Sequence, residues 1–321
     1  MEDGAVTQMH PDIEFCLATE ADYDQVMAMS TDVYSGMDYM GHFYFSWLQE
    51  PNRMVFLAKR NGQVIALESV WIVDDGETAV FEGLRVAPWE RGQGIARMIQ
   101  LHCINFIKTN YPEVKRRRQT VGNKLPEVLN KFRILGERSV LIFHFKASDI
   151  DGILSYITRA MEAEGKVWQQ ASLLQDSDVR RIFLDREVID TVLPNKKIMY
   201  DWHPFEPTES NISLLLSKQI RWMADCSEHP HFLSLCLDPY LVSMGQEFLR
   251  LNIDMFGKVL DEAKKHLVTQ LQISSGKLTG TVLCFLFLDT LLTAKMEEFV
   301  KAIPAVEKPN ILPQMLLEDD L

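Results

Sequence analysis

The sequence predicts an α/β fold built on a mixed sheet, and three features support this prediction. Apolar, strand-like runs flank Asn61-Gly62, the dipeptide favoured in two-residue hairpin turns. A second turn signal at residues 74–77 leads into another strand-like run. A glycine-containing loop within residues 84–99 then joins that run to a segment with apolar residues at helical spacing. Antiparallel strands followed by a strand–loop–helix unit indicate helices packed on a sheet.

The first part of the chain, residues 12–146, is predicted to be one domain. Thr19 is a suitable N-cap for its first helix, because Asp22 stands three residues later. Gly136 is a candidate C-cap for a helix near the end of this domain. The predicted elements, in chain order, are strand 13–18, helix 19–30, an aromatic segment at 33–48, strands 54–60, 64–73 and 78–86, helix 95–110, strand 115–123, helix 125–135 and strand 139–145.

The remainder, residues 147–321, is predicted to be a second domain. Its last strand, helix, strand and helix repeat the order seen in the first part, which favours a degenerate copy of the same architecture. An unrelated α+β domain is the alternative. Residues 307–321 contain two prolines and a cluster of acidic residues, so partial disorder is expected there. The predicted elements are helix 149–165, strands 196–202, 220–226, 231–237 and 247–254, helix 259–272, strand 281–288 and helix 291–303.

Composition and charge limit the classes of partner. The chain of 321 residues has a net charge of −12, which opposes binding to a nucleic-acid backbone. The longest apolar run, residues 281–292, is too short for a membrane span and contains Asp289. Five cysteines without CxxC spacing predict reduced thiols rather than a metal site. We therefore expect a cytoplasmic protein without nucleic-acid, membrane or metal partners.

The loop at residues 91–96 has the composition of an anion-binding site. It precedes a predicted helix, whose first N–H groups and dipole favour negative charge such as a pyrophosphate. Glycine allows the backbone to approach phosphate oxygens closely. The segment is neither a P-loop nor a G-x-G-x-x-G motif, since it lacks the required residues. The residues that form it are Arg91, Gly92, Gln93, Gly94, Ile95 and Ala96.

The pattern Arg91-x-x-Gly94-x-Ala96 resembles the acetyl-CoA signature Q/R-x-x-G-x-G/A of the GNAT superfamily of N-acyltransferases. The resemblance implies a GNAT fold over the first domain and acetyl-CoA as co-substrate. It implies that backbone amides of residues 91–97, Arg97 included, bind the CoA pyrophosphate. It also implies that main-chain groups of the preceding strand hold the thioester and the pantetheine arm, namely those of Leu84, Arg85 and Val86.

Acyl transfer to an amine requires a proton acceptor near the thioester. Glu82 is the first candidate, because alternation along a strand would place it on the same face as Leu84. Glu68 on the neighbouring strand is the second. The resemblance adds Asn123, which follows the next strand. It also places Phe132 where many GNAT members have a tyrosine that protonates the leaving thiolate, and phenylalanine has no proton to donate.

The acceptor amine is expected to bind in the aromatic segment, where Asp38 lies near Tyr34 and Tyr39. This segment, the loop, and residues 200–215 and 248–257 together resemble the histidine N-acetyltransferases, a family within the GNAT superfamily. The resemblance extends from about residue 13 to the last helix. It implies transfer of an acetyl group from acetyl-CoA to the α-amine of a free amino acid, with L-histidine preferred.

Two other functions remain open at this point. A protein or peptide N-acetyltransferase would use the same co-substrate on a larger acceptor. An acyl-CoA-binding regulatory protein without turnover is compatible with the phenylalanine at position 132. The sequence does not indicate an oligomeric state.

Overall fold

The chain divides into two compact units, Met1–Arg118 with Asp320–Leu321, and Gln119–Asp319. The boundary expected at residues 146 and 147 lies inside the second unit, because the strand Arg133–Lys146 pairs with strands of that unit on both of its edges. A computed structural model of the protein describes residues 12–30, 33–123, 126–163, 165, 169–242 and 248–321.

The first unit has the element order that the sequence predicts. Its elements are β1 (Ile13–Leu17), α1 (Tyr23–Met29), α2 (Met40–Gln49), β2 (Arg53–Arg60), β3 (Gln63–Val73), β4 (Thr78–Val86), α3 (Ile95–Asn110) and the start of β5 (Arg116–Val121).

The strands of this unit form a mixed sheet in the order β1-β2-β3-β4-β5. All neighbours are antiparallel except β4 and β5, which are parallel. Asn61 and Gly62 join β2 to β3 with φ of 52° and 77°, as the predicted hairpin turn requires. The capping box of Thr19 and Asp22 is also present.

The sheet of the first unit is covered on both faces. Helix α3 packs on one face through Ile95, Ile99, Cys103 and Ile107, and this is called the α3 face. Helices α1 and α2 pack on the other face, called the α2 face, where Trp47 joins the core. Because both faces of β2 and β3 are buried, apolar residues occupy consecutive positions in both strands rather than alternate ones.

The second unit contains the remaining elements. They are α4 (Pro126–Leu129), β6 (Arg133–Lys146), α5 (Ile150–Ala163), β7 (Ser172–Leu173), α6 (Asp176–Phe183), α7 (Arg186–Thr191), β8 (Ile198–Tyr200), β9 (His203–Phe205), α8 (Glu209–Leu216), β10 (Ile220–Ala224), β11 (Leu233–Leu237), β12 (Tyr240–Leu241), β13 (Phe248–Phe256), α9 (Leu260–Ser274), β14 (Thr281–Leu288), α10 (Thr293–Lys301) and β15 (Glu307–Asp320).

Within the second unit the strands follow the order β15-β6-β14-β13-β11-β10-β7. The pair β13–β14 is parallel, and the other neighbours are antiparallel. Helix α9 connects β13 to β14, so the unit contains the strand–helix–strand connection that the sequence predicts for a second copy of the architecture. No helix among the described residues is long and apolar enough to cross a membrane.

Two predictions for the second unit are wrong. The expected helix over residues 125–135 is limited to Pro126–Leu129, and Gly136 lies within β6 rather than at a helix end. A Cβ at Gly136 would lie 1.6 Å from the Asn195 side-chain nitrogen, so this glycine serves close packing. Residues 307–320 form β15 rather than a disordered tail, because Met315, Leu316 and Leu317 are buried along β6.

Candidate active site

A bulge in β4 determines which side chains share a face of the sheet. Two β3 residues that are two positions apart pair with Glu82 and Arg85, which are three apart. Gly83 lies within this bulge at φ +72°, a conformation that favours glycine, and its missing side chain leaves room for Trp47. Glu82 and Arg85 therefore both lie on the α2 face, while Leu84 packs on the α3 face. The expectation that Glu82 and Leu84 share a face is wrong for this reason.

Glu82 is held by a buried arginine. The Arg53 guanidinium is ion-paired with Glu82 and, at 2.7 Å, with Glu50. It also lies between two indole rings, 4.6 Å from the Trp47 centroid and 4.0 Å from that of Trp71. Glu82 retains 10% of its side-chain exposure, whereas Arg53 retains 1%. The carboxylate is thus fixed and almost fully buried on the α2 face.

Glu68 lies on the opposite face. It pairs in register with Phe56 of the α3-face core and accepts a hydrogen bond from Gln100 of α3. Its side chain is buried, and burial raises its pKa well above the ordinary glutamate value. The two predicted carboxylates are therefore in different environments and on different faces of the sheet: Glu82 is ion-paired with Arg53, and Glu68 is buried beside Gln100.

The predicted acceptor residues come together on the α2 face. Tyr34 and Tyr39 stack with centroids 5.9 Å apart, and Tyr39 also contacts Trp47 at 5.8 Å. Asp38 is buried and accepts hydrogen bonds from the Met40 N–H at 3.1 Å and from Arg85 Nη2 at 2.9 Å. Burial raises the pKa of Tyr39 well above its usual value, so its hydroxyl remains protonated at neutral pH.

The glycine loop presents free backbone donors. Gly92 and Gly94 have φ of +81° and +78°, and the Arg91 side chain donates to the Val86 carbonyl at 3.2 Å. The N–H of Met98 donates to the Gly94 carbonyl at 3.1 Å. The preceding N–H groups, those of Ile95, Ala96 and Arg97, are therefore positioned for an anion at the α3 N-terminus. Arg91, Gly92, Gln93 and Gly94 are exposed, which leaves the approach open.

The β4 backbone is open on the side of β5. The recorded pairing of these parallel strands covers three positions, Thr78–Val80 opposite Arg116–Arg118. Beyond Val80, in the described part of this unit, no pairing of β4 with β5 is recorded. The main-chain groups of Leu84 and Arg85 that point away from β3 are therefore available to an extended ligand arm that runs from the loop along β4, whereas the Val86 carbonyl already accepts a hydrogen bond from Arg91.

Two residues suggested by the resemblance belong to the second unit. Asn123 is exposed after the end of β5. Phe132 precedes β6 and not the end of a helix, so the helix expected to carry the usual tyrosine is absent at that position. Among the described residues no group of three or more His, Cys, Asp or Glu side chains could hold a metal ion.

Sequence reasoning missed Arg53 and the second role of Arg85. Arg53 begins β2 and has no motif around it, and only the fold brings it to Glu82. Arg85 was predicted to contribute main-chain groups, whereas its side chain contacts Asp38. A signal for Arg85 was present in principle, because a charged residue in an apolar strand requires a buried partner.

Two protein-family models match separate parts of the chain. The acetyltransferase (GNAT) family model matches residues 23–117, which contain the loop, β4 and the acceptor cluster, meaning Tyr34, Asp38, Tyr39 and Arg85. A model described as histidine N-acetyltransferase, C-terminal, matches residues 168–289 of the second unit. The two matches therefore cover both halves of the chain.

Relatives and solved structures match almost the whole chain. A histidine N-acetyltransferase of Scomber australasicus is 42% identical, covering 96% of this chain and 94% of that protein. A human protein named probable N-acetyltransferase 16 is 38% identical over 96% of this chain and 86% of its own. A tandem GNAT protein from the clavulanic acid biosynthesis pathway, 13% identical, superposes with a TM-score of 0.54 over 96% of this chain and 98% of its own, which confirms the predicted GNAT fold for both halves. The chain belongs to the histidine N-acetyltransferase family of the GNAT superfamily, and it is an acetyl-CoA-dependent N-acetyltransferase.

Proposed function

We propose that this enzyme transfers the acetyl group of acetyl-CoA to the α-amine of L-histidine. The observation that carries the proposal is the 42% identity, over nearly all of both chains, with a protein named histidine N-acetyltransferase. The buried acceptor cluster around Asp38 and Arg85 supports a small charged acceptor, since both side chains are at most 3% exposed. The products are N-α-acetylhistidine and CoA.

Acetyl-CoA supplies the acetyl group as an activated thioester. We assign its pyrophosphate to the free N–H groups of residues 92–97, where Gly92 and Gly94 keep the backbone accessible. Main-chain groups of Leu84 to Val86 are assigned to the pantetheine arm and the thioester carbonyl, because the pairing of β4 with β5 covers only Thr78–Val80. The geometry supports direct transfer while both substrates are bound.

Glu82 is the proposed proton acceptor. The neutral amine forms a bond to the thioester carbon, the carbon–sulfur bond breaks, and the amine gives up one proton. Glu82 lies on the same sheet face as Asp38 and Arg85 and is held in place by Arg53. Glu68 is unsuited to this role, because it lies on the α3 face, on the other side of the sheet from Asp38 and Arg85. Asn123 remains an untested candidate for a polar contact.

The acceptor is assigned to the α2 face. Tyr34 and Tyr39 offer aromatic surface, and Asp38 offers a carboxylate. A positively charged group is attracted to both kinds of side chain, so the imidazolium or ammonium of the acceptor fits here. In this arrangement the amine that reacts must lose its proton before it attacks.

A peptide or protein acceptor is the second candidate. It would use the same acetyl-CoA site, and one relative, 38% identical, is named only as a probable N-acetyltransferase, without an acceptor. The regulatory alternative without turnover is disfavoured, because the relatives are named as transferases and the glycine loop is open.

The test is CoA release from acetyl-CoA with the purified chain and a panel of acceptors. The panel contains the twenty amino acids, polyamines and a basic peptide, with the Gly94→Glu variant as the control for enzyme-dependent release. We expect turnover on histidine to exceed that on every other acceptor. Turnover on the peptide alone would replace this proposal with the second candidate.

We further propose a cytoplasmic location. All five cysteines are free thiols, and three of them, Cys103, Cys236 and Cys284, are buried. Free thiols are typical of a reducing compartment. Localisation of the tagged protein by cell fractionation tests this expectation.

A further inference from the structure

Arg85 combines deep burial with unused hydrogen-bonding capacity. The residue is 3% exposed, and its side chain projects from β4 onto the α2 face. A guanidinium has five N–H donors. Arg85 Nη2 donates to Asp38 Oδ1 at 2.9 Å, whereas Nε and Nη1 are buried without a hydrogen-bond partner. Buried polar groups are normally satisfied, so this arrangement indicates a missing acceptor.

The surroundings determine what kind of acceptor fits. Asp38 partly balances the charge of Arg85, and the Tyr39 ring lies 5.6 Å from the Arg85 guanidinium carbon. Glu82 on the same face is already paired with Arg53 and is unavailable to Arg85 as its main partner. A second carboxylate is the group that guanidinium donors bind best in such a site.

We propose that the Arg85 side chain receives the α-carboxylate of the acceptor amino acid and thereby makes the enzyme specific for free amino acids. This inference rests on the proposed function, because it assumes a free α-amino acid as acceptor. The carboxylate accepts hydrogen bonds from Nε or Nη1, and Asp38 keeps the guanidinium in position through Nη2. The α-amine, one carbon away from the carboxylate, then lies on the face that contains Glu82.

The CoA phosphates are a poorer explanation for the unpaired donors. The phosphate-binding N–H groups belong to the exposed loop that precedes α3, whereas Arg85 is buried among side chains of the α2 face. Peptides are also a poor match. The N-terminal residue of a peptide has an amide where a free amino acid has its carboxylate, and an amide brings no charge to Arg85.

Histidinamide tests the proposal with the unchanged enzyme. It retains the α-amine and the imidazole but replaces the carboxylate with a neutral amide. We expect kcat/KM for histidine to exceed that for histidinamide by about 100-fold, as charged hydrogen bonds to an otherwise unsatisfied group allow. Equal kcat/KM values for the two acceptors would overturn the proposal.

Substitution of Arg85 tests whether its side chain causes the preference for histidine over histidinamide. The double variant Arg85→Gln/Asp38→Asn removes both charges, so no buried ion is left unpaired. The introduced asparagine can still accept a hydrogen bond from the Met40 N–H. We expect kcat/KM for histidine to exceed that for histidinamide by only about 5-fold or less in this variant, because the charged hydrogen bond to the carboxylate is lost. Arg85→Lys, which keeps the charge but not the planar donors, should retain an intermediate ratio.

Arg118→Gln is the matched control. Arg118 is also buried in the first unit and is ion-paired with Asp74 at 2.7 Å, away from the acceptor cluster. This variant should keep the 100-fold ratio even where it lowers stability. A ratio that collapses equally in both variants, or persists in the Arg85→Gln/Asp38→Asn pair, would overturn the proposal.

The outcomes separate this inference from the proposed function. If another amino acid is the preferred substrate, the histidine assignment fails, and the ratio for that amino acid and its amide tests Arg85. If no acceptor turns over, calorimetric binding of histidine and histidinamide in the presence of CoA gives the same comparison. Binding of both with equal affinity would refute the role of Arg85.

Discussion

The two units contain the same strand–turn–helix–strand arrangement, but they differ in the connection between the strand and the helix. In the first unit, residues 87–94 connect β4 to α3 and include two glycines with positive φ. In the second unit, residues 257–259 connect β13 to α9. The short connection leaves no room for a loop that could surround a pyrophosphate.

The two units also differ in how far their parallel strands are paired. β4 and β5 are paired at three recorded positions, whereas β13 and β14 are paired at seven, from Phe248 to Asp254. Gly257 in the second connection has no free space, since a Cβ there would lie 2.5 Å from the Phe232 ring. A Cβ at Gly94 would have no neighbouring atom within 4 Å.

The helices that follow also differ in what they bury. Helix α3 packs apolar side chains against its sheet, among them Ile99 and Ile107. Helix α9 buries His266 and Gln270, both hydrogen-bonded to the Ser234 hydroxyl of β11. The two units therefore share an order of elements but differ in the length of the connection and in the pairing of the strands beside it.

The largest expected effect concerns the proposed base in the first unit. Glu82→Gln should lower kcat about 10³-fold, as expected for loss of a general base. Glu68→Gln should lower kcat less than about 5-fold, because Glu68 lies on the α3 face and glutamine is close to glutamic acid in shape. Steady-state kinetics on both variants measures this. Equal losses would show that the two sheet faces do not differ in catalytic role.

A charge in either connection tests where acetyl-CoA binds. Gly94→Glu places a carboxylate beside the proposed pyrophosphate site and strains the backbone, so the acetyl-CoA Kd should rise about 100-fold. Lys258→Glu makes a larger charge change, of two units rather than one, in the exposed connection of the second unit and should nevertheless leave the Kd within about 2-fold. Fluorescence titration gives both values. A similar weakening by Lys258→Glu would contradict the assignment.

The buried histidine of α9 gives the second unit a pH-dependent stability. Burial lowers the pKa of His266 to about 3, below its unfolded value of about 6.5. The unfolded state therefore binds more protons below pH 6.5, and stability falls as the pH decreases. Between pH 7 and 5 this residue should account for about 2 kcal/mol of lost unfolding free energy.

His266→Asn should remove that loss, as measured by urea unfolding at the two pH values. The control is His144→Asn, because His144 is partly exposed and paired with Glu307 at 2.8 Å. This control should not reduce the acid sensitivity. If the His266→Asn variant loses as much unfolding free energy between pH 7 and pH 5 as the wild type, another group is responsible.

The smallest effect concerns backbone conformation in the two units. Gly94→Ala should cost about 1 kcal/mol of unfolding free energy without ligand, because alanine is strained at φ +78° while space is available. Gly276→Ala, in the second unit, meets no contact within 4 Å and lacks a positive φ. It should cause no loss. Chemical denaturation compares the two, and equal losses would rule out conformational strain as the cause.

Much of the first unit could be predicted because its signals are local. The Asn61-Gly62 turn and the apolar periodicity of α3 depend on residues close in sequence, and both predictions are confirmed. The sheet face on which the Glu82 side chain lies could not be predicted, because a bulge at Gly83 interrupts the alternation of side chains along β4. A glycine in a strand permits a bulge but does not require one.

The less predictable features depend on distant partners. The segment that forms β15 contains Pro309 and Pro313 and reads as a tail, yet pairing with β6 makes it a strand. The Arg53–Glu82 ion pair joins residues on β2 and β4 that no motif connects. Such contacts are tertiary, and local propensity carries no information about them.

We propose that the first unit, and not the second, binds acetyl-CoA. The most direct measurement is isothermal titration of the full chain with acetyl-CoA, read for stoichiometry. We predict one site per chain, lost in the Gly94→Glu variant. Two sites per chain, or a single site that survives Gly94→Glu unchanged, would contradict the account.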